Sequence, residues 1–471
     1  MTPRTLANPA AGAAAAVPSS HRTLPTAAAF WTLAALFLMV FFATGAASPL
    51  YRVYQAQFRF SASTLTDVFA VYVLVLLVTL LFWGSVSDYL GRLPVIIAAL
   101  VVSAAACVVF IAADGIGALY VARALQGIAT GLATGSMGAA MIELQPPGSE
   151  RAAVVTSAFA TLGLALGALI TSALVQYAPA PRQLIWWALL TLFAVGIVAV
   201  LAIREPGRQR AGVLGSLRPR IAVPREARRT FAGAVPCFVA VWALGGLYVS
   251  LGPSLVAQIT GSRNLLWGGV VIFLLTGTGG VSSLVLRGIT SRAAMLIGLW
   301  FLLAGVAVTS IAITTTTTVT FLAGTAVAGV GYGLAYLGAF RVSIAAASPA
   351  QRASLLAAIY ILVYLAFGVP ALIAGVTTTK FGLHSTALVY SASLVVVVGV
   401  AIGLLFIAPR AKGAGRAPAI PPVIPPGPCT CPPCRQALDP GDRVALGGAK
   451  PARAANVMST PMNGGQRHAQ P

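Results

Sequence analysis

Two groups of residues in this 471-residue chain have types and spacings that chemistry could use. The first is the run Gly84-Ser85-Val86-Ser87-Asp88-Tyr89-Leu90-Gly91-Arg92. Gly84 and Gly91 permit a very tight reversal of the chain, and Asp88 and Arg92 set opposite charges four residues apart. A carboxylate held at such a turn is placed to dock on the positive N-terminus of a neighbouring helix. The segment opened by Ser348 and Pro349 offers that terminus, with Ser348 as cap and Pro349 in the first turn. Glu143, which with Glu150 flanks a later polar loop, is expected to pair with Arg92 and extend the cluster into a gate. The second group is Arg123, Gln126, Gly127 and Gly131. Arg123 stands within an apolar run, where a central guanidinium costs about 2.5–3.5 kcal/mol on insertion scales. A charge kept at that cost is read as a functional residue. Arg123, Gly127, Gly131 and Gly135 recur every four residues and so share one helix face. Small residues at that spacing let a second helix approach closely, and Arg123 is expected to face protein or a cavity rather than lipid.

Other chemistries lack their residues. A membrane-embedded enzyme needs clustered histidines or carboxylates at membrane depth. The three histidines, His21, His384 and His468, fall in tails or at the end of an apolar run, and no Asp or Glu is expected deep inside one. None of the lysines, Lys380, Lys412 and Lys450, follows a glycine, which removes a phosphate-binding Gly-Lys loop and, with it, ATP-driven pumping by this chain. Gly329-Val330-Gly331-Tyr332-Gly333 follows no strand, so its glycines are assigned to helix packing. Cys429, Cys431 and Cys434 have thiol spacing without a fourth ligand, in a proline-rich tail. No metal, cofactor or enzymatic activity is expected.

The elements that must carry these groups follow from composition. Hydrophobic residues make up 58% and charged residues 8% of the chain, against roughly 25% charged in a soluble domain, and the mean hydropathy is +0.90. So little polar surface cannot face water all round, and the chain is expected in a lipid bilayer. Apolar runs of span length begin near Phe30, Thr66, Pro94, Gly117, Ala152, Leu184, Phe231, Leu265, Ala293, Thr318, Ala353 and His384. Each is long enough to cross the hydrocarbon core. Being continuous rather than alternating, they read as helices. With the N-terminus inside, fourteen arginines fall in inner loops and five basic residues in outer loops. Positive charge favours the cytoplasmic side, so both termini are expected there. The net charge of +21 is thereby explained by membrane topology, without nucleic acid. Contact of the basic loop with anionic lipid is also expected.

The basic loop at 204–230 divides the spans into two blocks of six, 30–203 and 231–408, flanked by expected disordered tails at 1–29 and 409–471. Arg151 lies as far beyond Phe30 as Arg352 lies beyond Phe231, and each opens a span. The loop from Gly84 likewise aligns with the one from Arg287. The expected fold is an all-α membrane protein of twelve transmembrane helices in two pseudo-symmetric six-helix bundles, an architecture known in transporters.

The run Gly84 to Arg92 resembles the conserved loop Gly-x-x-x-Asp-x-x-Gly-Arg of the major facilitator superfamily and falls between spans two and three, as it does there. Leu93-Pro94 replaces the family's usual next basic residue. Arg123 followed by Gln126-Gly127 resembles a second family pattern. The resemblance covers about Phe30 to Ala408. It implies a twelve-span secondary transporter in which Arg123 serves substrate binding or proton coupling. It also implies a central cavity, with Thr44, Gln126, Trp242, Tyr248, Tyr332 and Tyr336 as candidate lining. Gly163 and Gly167 pack the fifth span, but Gly167-Ala168 lacks the proline of the family's drug/proton antiporters. The reading is proton-coupled efflux of a drug or small metabolite; the alternative is a proton-coupled importer of an organic anion or sugar. A neutral or anionic substrate suits Arg123 as well as a cation would. A monomer in a bacterial inner membrane is expected.

Overall fold

The structure, a computed structural model, describes residues 24–147, 149, 151–207, 223–348 and 351–407. Glu150, Pro349, most of the basic loop, the C-terminal cysteines and most of both tails lie outside the described residues.

Twelve helices among the described residues are long and apolar enough to cross a membrane. In the first half they are α1 (Thr26–Phe58), α2 (Ala62–Trp83), α4 (Arg92–Ile111), α5 (Ile116–Leu144), α6 (Arg151–Tyr177) and α7 (Leu184–Leu201), with a single-turn α3 (Ser87–Leu90) between α2 and α4. In the second half they are α8 (Arg228–Ser250), α10 (Leu266–Val285), α11 (Ser291–Thr315), α12 (Thr318–Ala345), α13 (Arg352–Phe381) and α14 (Leu383–Ile407), with a short α9 (Gly252–Thr260) continuing α8. Lipid offers backbone groups no partner, so each segment must satisfy its own. Hydroxyls do so by bonding back one turn, as Thr79 does to the Val75 carbonyl at 2.8 Å and Ser343 to Ala339 at 2.7 Å. Pro49, Pro236 and Pro370 stand inside helices, a placement that membrane helices tolerate when neighbours or Ser/Thr side chains satisfy the freed groups. On α7, Leu192, Val195 and Val198 are 51%, 61% and 67% exposed. A stripe of bare aliphatic side chains is stable against acyl chains, not water.

The halves repeat one packing scheme. In the first, α1 packs on α6, α2 on α5, and α4 on α5 and α7; in the second, α8 packs on α13, α10 on α12, and α11 on α12 and α14. Gly329 and Gly333 stand the same interval beyond Gly127 and Gly131, and the contacts match. Gly127 and Gly131 abut α2 at Tyr72, Leu76 and Thr79, while Gly329 and Gly333 abut α10 at Leu275 and Gly279. The halves meet chiefly through α2 against α13 and α6 against α10. Among the described residues, three hydrogen bonds tie them at the end opposite the basic loop. The Ser63 amide donates to Thr379 Oγ1 at 3.3 Å, the Leu265 amide to Gln176 Oε1 at 2.8 Å, and Asn264 Nδ2 to the Tyr177 hydroxyl at 3.4 Å.

Candidate functional site

Arg123 lies on α5, at 1% exposure. Three residues on, Gln126 Oε1 accepts from its Nη1 at 2.6 Å, and Gln126 in turn donates to the Ala43 carbonyl of α1 at 3.1 Å. Thr130 donates to the Gln126 carbonyl at 2.8 Å and faces the Thr44 hydroxyl at 3.4 Å. The guanidinium carbon sits 4.2 Å from the ring centroid of Tyr72 on α2 and 5.9 Å from that of Tyr51 on α1. A desolvated cation over an aromatic face gains about 2 kcal/mol or more. No carboxylate among the described residues is within ion-pair distance of it. Arg123 Nε and the Tyr51 hydroxyl are sealed from solvent and have no hydrogen-bond partner. The face shared by Arg123, Gly127, Gly131 and Gly135 is thus the face against α2 and its end. A Cβ on Gly127 would lie 2.8 Å from the Tyr72 carbonyl oxygen, one on Gly131 2.7 Å from Thr79, and one on Gly135 2.6 Å from the Gly84 carbonyl oxygen. Gly163 and Gly167 do the same for α6 against α1, at Leu38 and Phe42.

Opposite this group, the second half presents rings. Trp242 of α8 has Tyr336 of α12 at 5.7 Å and Tyr364 and Phe367 of α13 at 5.5 Å each, all edge-on. Phe367 reaches Phe69 of α2 at 5.0 Å. Tyr332 joins the cluster beside Gly245, whose missing side chain leaves room for the ring. The Trp242 indole nitrogen is buried without an acceptor. Gly368 of α13 likewise lies against Val73, so the aromatic cluster packs on α2, the helix that carries Tyr72. Tyr248 stands apart, 3% exposed and bonded at 2.9 Å to Thr325. Thr325 holds the position in α12 that Arg123 holds in α5. The repeat therefore places a neutral hydroxyl pair in one half where the other has a cation.

The third group lies within the first half, at the end near the basic loop. Arg92 Nη2 pairs with Glu143 at 2.8 Å, Nη1 donates to the Ser87 hydroxyl at 2.8 Å, and Nη1 also pairs with Asp88. Glu205 completes the cluster. Its two carboxylate oxygens accept from the Arg92 and Leu93 amides at 2.7 and 3.0 Å. It thereby satisfies two of the amides that a helix N-terminus leaves open and sits at the positive end of α4. Gly91, at φ 101°, takes a conformation rarely open to other residues. Gly84 is in ordinary helical conformation, and it is the missing side chain of Gly135 that lets the two backbones meet there. Asp88 gives its carboxylate to Arg92, and Ser348 gives its hydroxyl to Gln351 Oε1 at 2.9 Å.

Sequence reasoning did not single out Tyr51, Tyr72, Tyr364, Phe367 or Glu205. For Glu205 a signal existed, a lone acid directly after the sixth span and followed by Pro206. The aromatic residues carried none, because rings are common in spans and their grouping depends on which helices adjoin.

Two six-helix bundles with a charged group and an aromatic cluster facing across their boundary define a membrane transporter architecture. The chain belongs to the Major Facilitator Superfamily, whose sequence profile matches residues 30–299. A bacterial homologue of the human lysosomal transporter Spinster, solved in an inward-facing, unoccupied conformation, has a similar fold. It is 17% identical at a TM-score of 0.62, with 81% of this chain and 96% of that one covered. The human organic anion transporter MFSD10 (TETRAN) is 17% identical at 0.58, covering 80% and 100%. The nucleoside transporter NupG is 14% identical at 0.60, covering 80% and 98%. No match was found among curated protein sequences.

Proposed function

We propose that this transporter works by alternating access and expels a drug or small metabolite from the cell in exchange for protons. The observation that carries the reading is the placement of the two unlike groups. The Arg123 cluster and the aromatic cluster face each other at the seam on which the halves pivot, and the seam is tied at the end away from the basic loop. With the basic loop in the cytoplasm, this is the arrangement of a passage shut on the outside. Rocking of the halves would break the Ser63–Thr379 and Gln176–Leu265 contacts and present the same side chains to the other face. The aromatic cluster supplies large, rigid apolar surface, which suits a lipophilic cargo and so favours efflux. Asp88 and Glu143 both hold Arg92, in a cluster that braces α3, α4 and α5. Fold relatives carry cargoes as different as organic anions and nucleosides, because the fold sets the motion and not the ligand.

The test is flux in proteoliposomes holding the full-length protein under an imposed pH gradient, across a panel of lipophilic cations, neutral compounds and anions. Exchange predicts accumulation on the acidic side that collapses with a protonophore. Accumulation on the alkaline side would assign the protein to import with protons. A protein that moved nothing would overturn the transport cycle described here.

A further inference from the structure

At the boundary between the halves, α2 and α10 begin at the end away from the basic loop, and the start of a helix leaves its first amides without intrahelical partners. Ser61 answers one of them on α2, accepting from the Thr64 amide at 3.2 Å. The Ser63 amide is answered from the other half, by Thr379 Oγ1 of α13 at 3.3 Å. At α10 the Leu265 amide is likewise answered from the other half, by Gln176 Oε1 of α6 at 2.8 Å. Gln176 and Thr379 hold corresponding positions in the repeat. Each half therefore caps the start of a helix in the other.

One turn deeper, each capped start meets a second contact. A Cβ on Gly375 of α13 would overlap the Thr66 hydroxyl of α2, and a Cβ on Gly269 of α10 would overlap the Ser172 hydroxyl and the Ala168 carbonyl oxygen of α6. The repeat relates these contacts too, since Thr66 corresponds to Gly269 and Ser172 to Gly375. Hydrogen bonds join the two levels on the α2–α13 side. Thr379 donates to the Gly375 carbonyl at 3.0 Å and Thr66 to the Ser63 carbonyl at 2.8 Å. Thr66 and Ser172 are wholly buried. The Ser172 hydroxyl has no hydrogen-bond partner, a cost of closure that water would relieve on opening.

We propose that these contacts form a two-point latch, built on the pseudo-repeat, and that Gly269 and Gly375 decide how firmly this end of the seam stays shut. The inference rests on the rocking of two halves in the reading above, and not on its cargo or its protons. Parting there uncaps α2 and α10 together. The two points lie on different seams, α2 with α13 and α6 with α10, so halves that move as units must release both at once. A methyl group on either glycine penalises the closed state alone, because its obstacle belongs to the other half, and the equilibrium shifts by that difference.

The experiment alters one seam and reads a buried cysteine in the other. In the full-length protein with Cys429, Cys431 and Cys434 replaced by serine, Ser172→Cys reports on Gly375→Ala and Thr379→Val, and Thr66→Cys reports on Gly269→Ala and Gln176→Ala. The purified protein in lipid nanodiscs is exposed to a maleimide, and label at each cysteine is followed by mass spectrometry. Cys107 and Cys237, buried in α4 and α8, report unfolding. Each glycine substitution is expected to speed labelling of the opposite reporter about tenfold, the scale on which an overpacked contact shifts a two-state population. Each lost cap is expected to speed it several-fold, with Cys107 and Cys237 unchanged. Gly399→Ala, in open space, is expected to leave every rate unaltered. Should a glycine variant also label faster at Cys107 and Cys237, it has unfolded, and the cap variants carry the comparison. Folded glycine variants that label at the parent rate, or cap variants that leave the opposite reporter unmoved, overturn the latch. Flux under a pH gradient with indifferent reporters removes the latch and leaves the exchange cycle standing. Responsive reporters in a protein that moves no compound do the reverse.

Discussion

Arg123 and Glu205 show how differently a single charge behaves at the core and at the rim of a membrane bundle. Arg123 has no carboxylate partner among the described residues and is held by a neutral amide and two rings. Arg123→Ala is expected to reduce pH-gradient-driven flux to the level of empty vesicles while the protein still inserts. Flux at the wild-type rate would exclude Arg123 from the cycle. Glu205 is instead consumed locally, by two amides of α4. Its loss in Glu205→Ala is expected to cost about 1–2 kcal/mol, the usual range for a lost N-terminal cap, measured as a lower melting temperature. Glu143→Gln should cost less than about 1 kcal/mol, since the pair is part-exposed and screened. Its expected effect is on the rate of cycling, and an unchanged rate would mean that the Arg92 cluster has no part in gating. The sequence marked Arg123 and Gln126 as neighbouring candidates about one helical turn apart; their hydrogen bond is a finding of the structure. Tyr72 and Tyr51 were not marked, because they reach Arg123 from other helices.

At the scale of the helix, close approach decides the architecture, and glycine decides close approach. Gly167 lets α6 settle on α1 so closely that a Cβ there would lie 2.1 Å from the Phe42 carbonyl oxygen. Backbone cannot yield as a side chain can, so Gly167→Val is expected to separate the pair and lower stability by about 1–3 kcal/mol, in the range of overpacked cores. The control is a glycine with open space around it, such as Gly399, where the same substitution should leave the melting temperature nearly unchanged. The spacing of Gly127, Gly131 and Gly135 announced a packing face, and the hydropathy of each run announced a helix. Which helix would lie against the glycines was not written in either pattern. It follows from connection lengths, the handedness of packing and the fit of all twelve helices together.

At the scale of the molecule, the proposed cycle requires two bundles that hold together and still separate at one end. The seam contacts at Ser63 and Thr379 are the place to test this. In a double variant, Ser63→Cys with Thr379→Cys, oxidation is expected to link the halves and stop flux, and reductant to restore it. Flux that continues through the oxidised, linked protein would show that the halves do not part there. The pseudo-repeat is incomplete where it matters most. Arg123 in one half answers to Thr325 in the other, and the aromatic cluster belongs mainly to the second half.

The sequence by itself determined that the chain lives in lipid, crosses it twelve times as helices and repeats a six-helix plan. Those conclusions rest on apolar length, charge placement and local periodicity, which are properties of contiguous residues. It also marked Arg123 and the Gly84–Arg92 turn, because a charge within an apolar run and a glycine pair around opposite charges are costly enough to show. Only the tertiary structure decided that Arg123 lies sealed against Tyr72 with two donors unanswered, that Glu205 caps α4, and that Trp242, Tyr332, Tyr336, Tyr364 and Phe367 form one cluster while Tyr248 does not. Each of those facts depends on the distance between residues far apart in the chain, and no local pattern carries a distance.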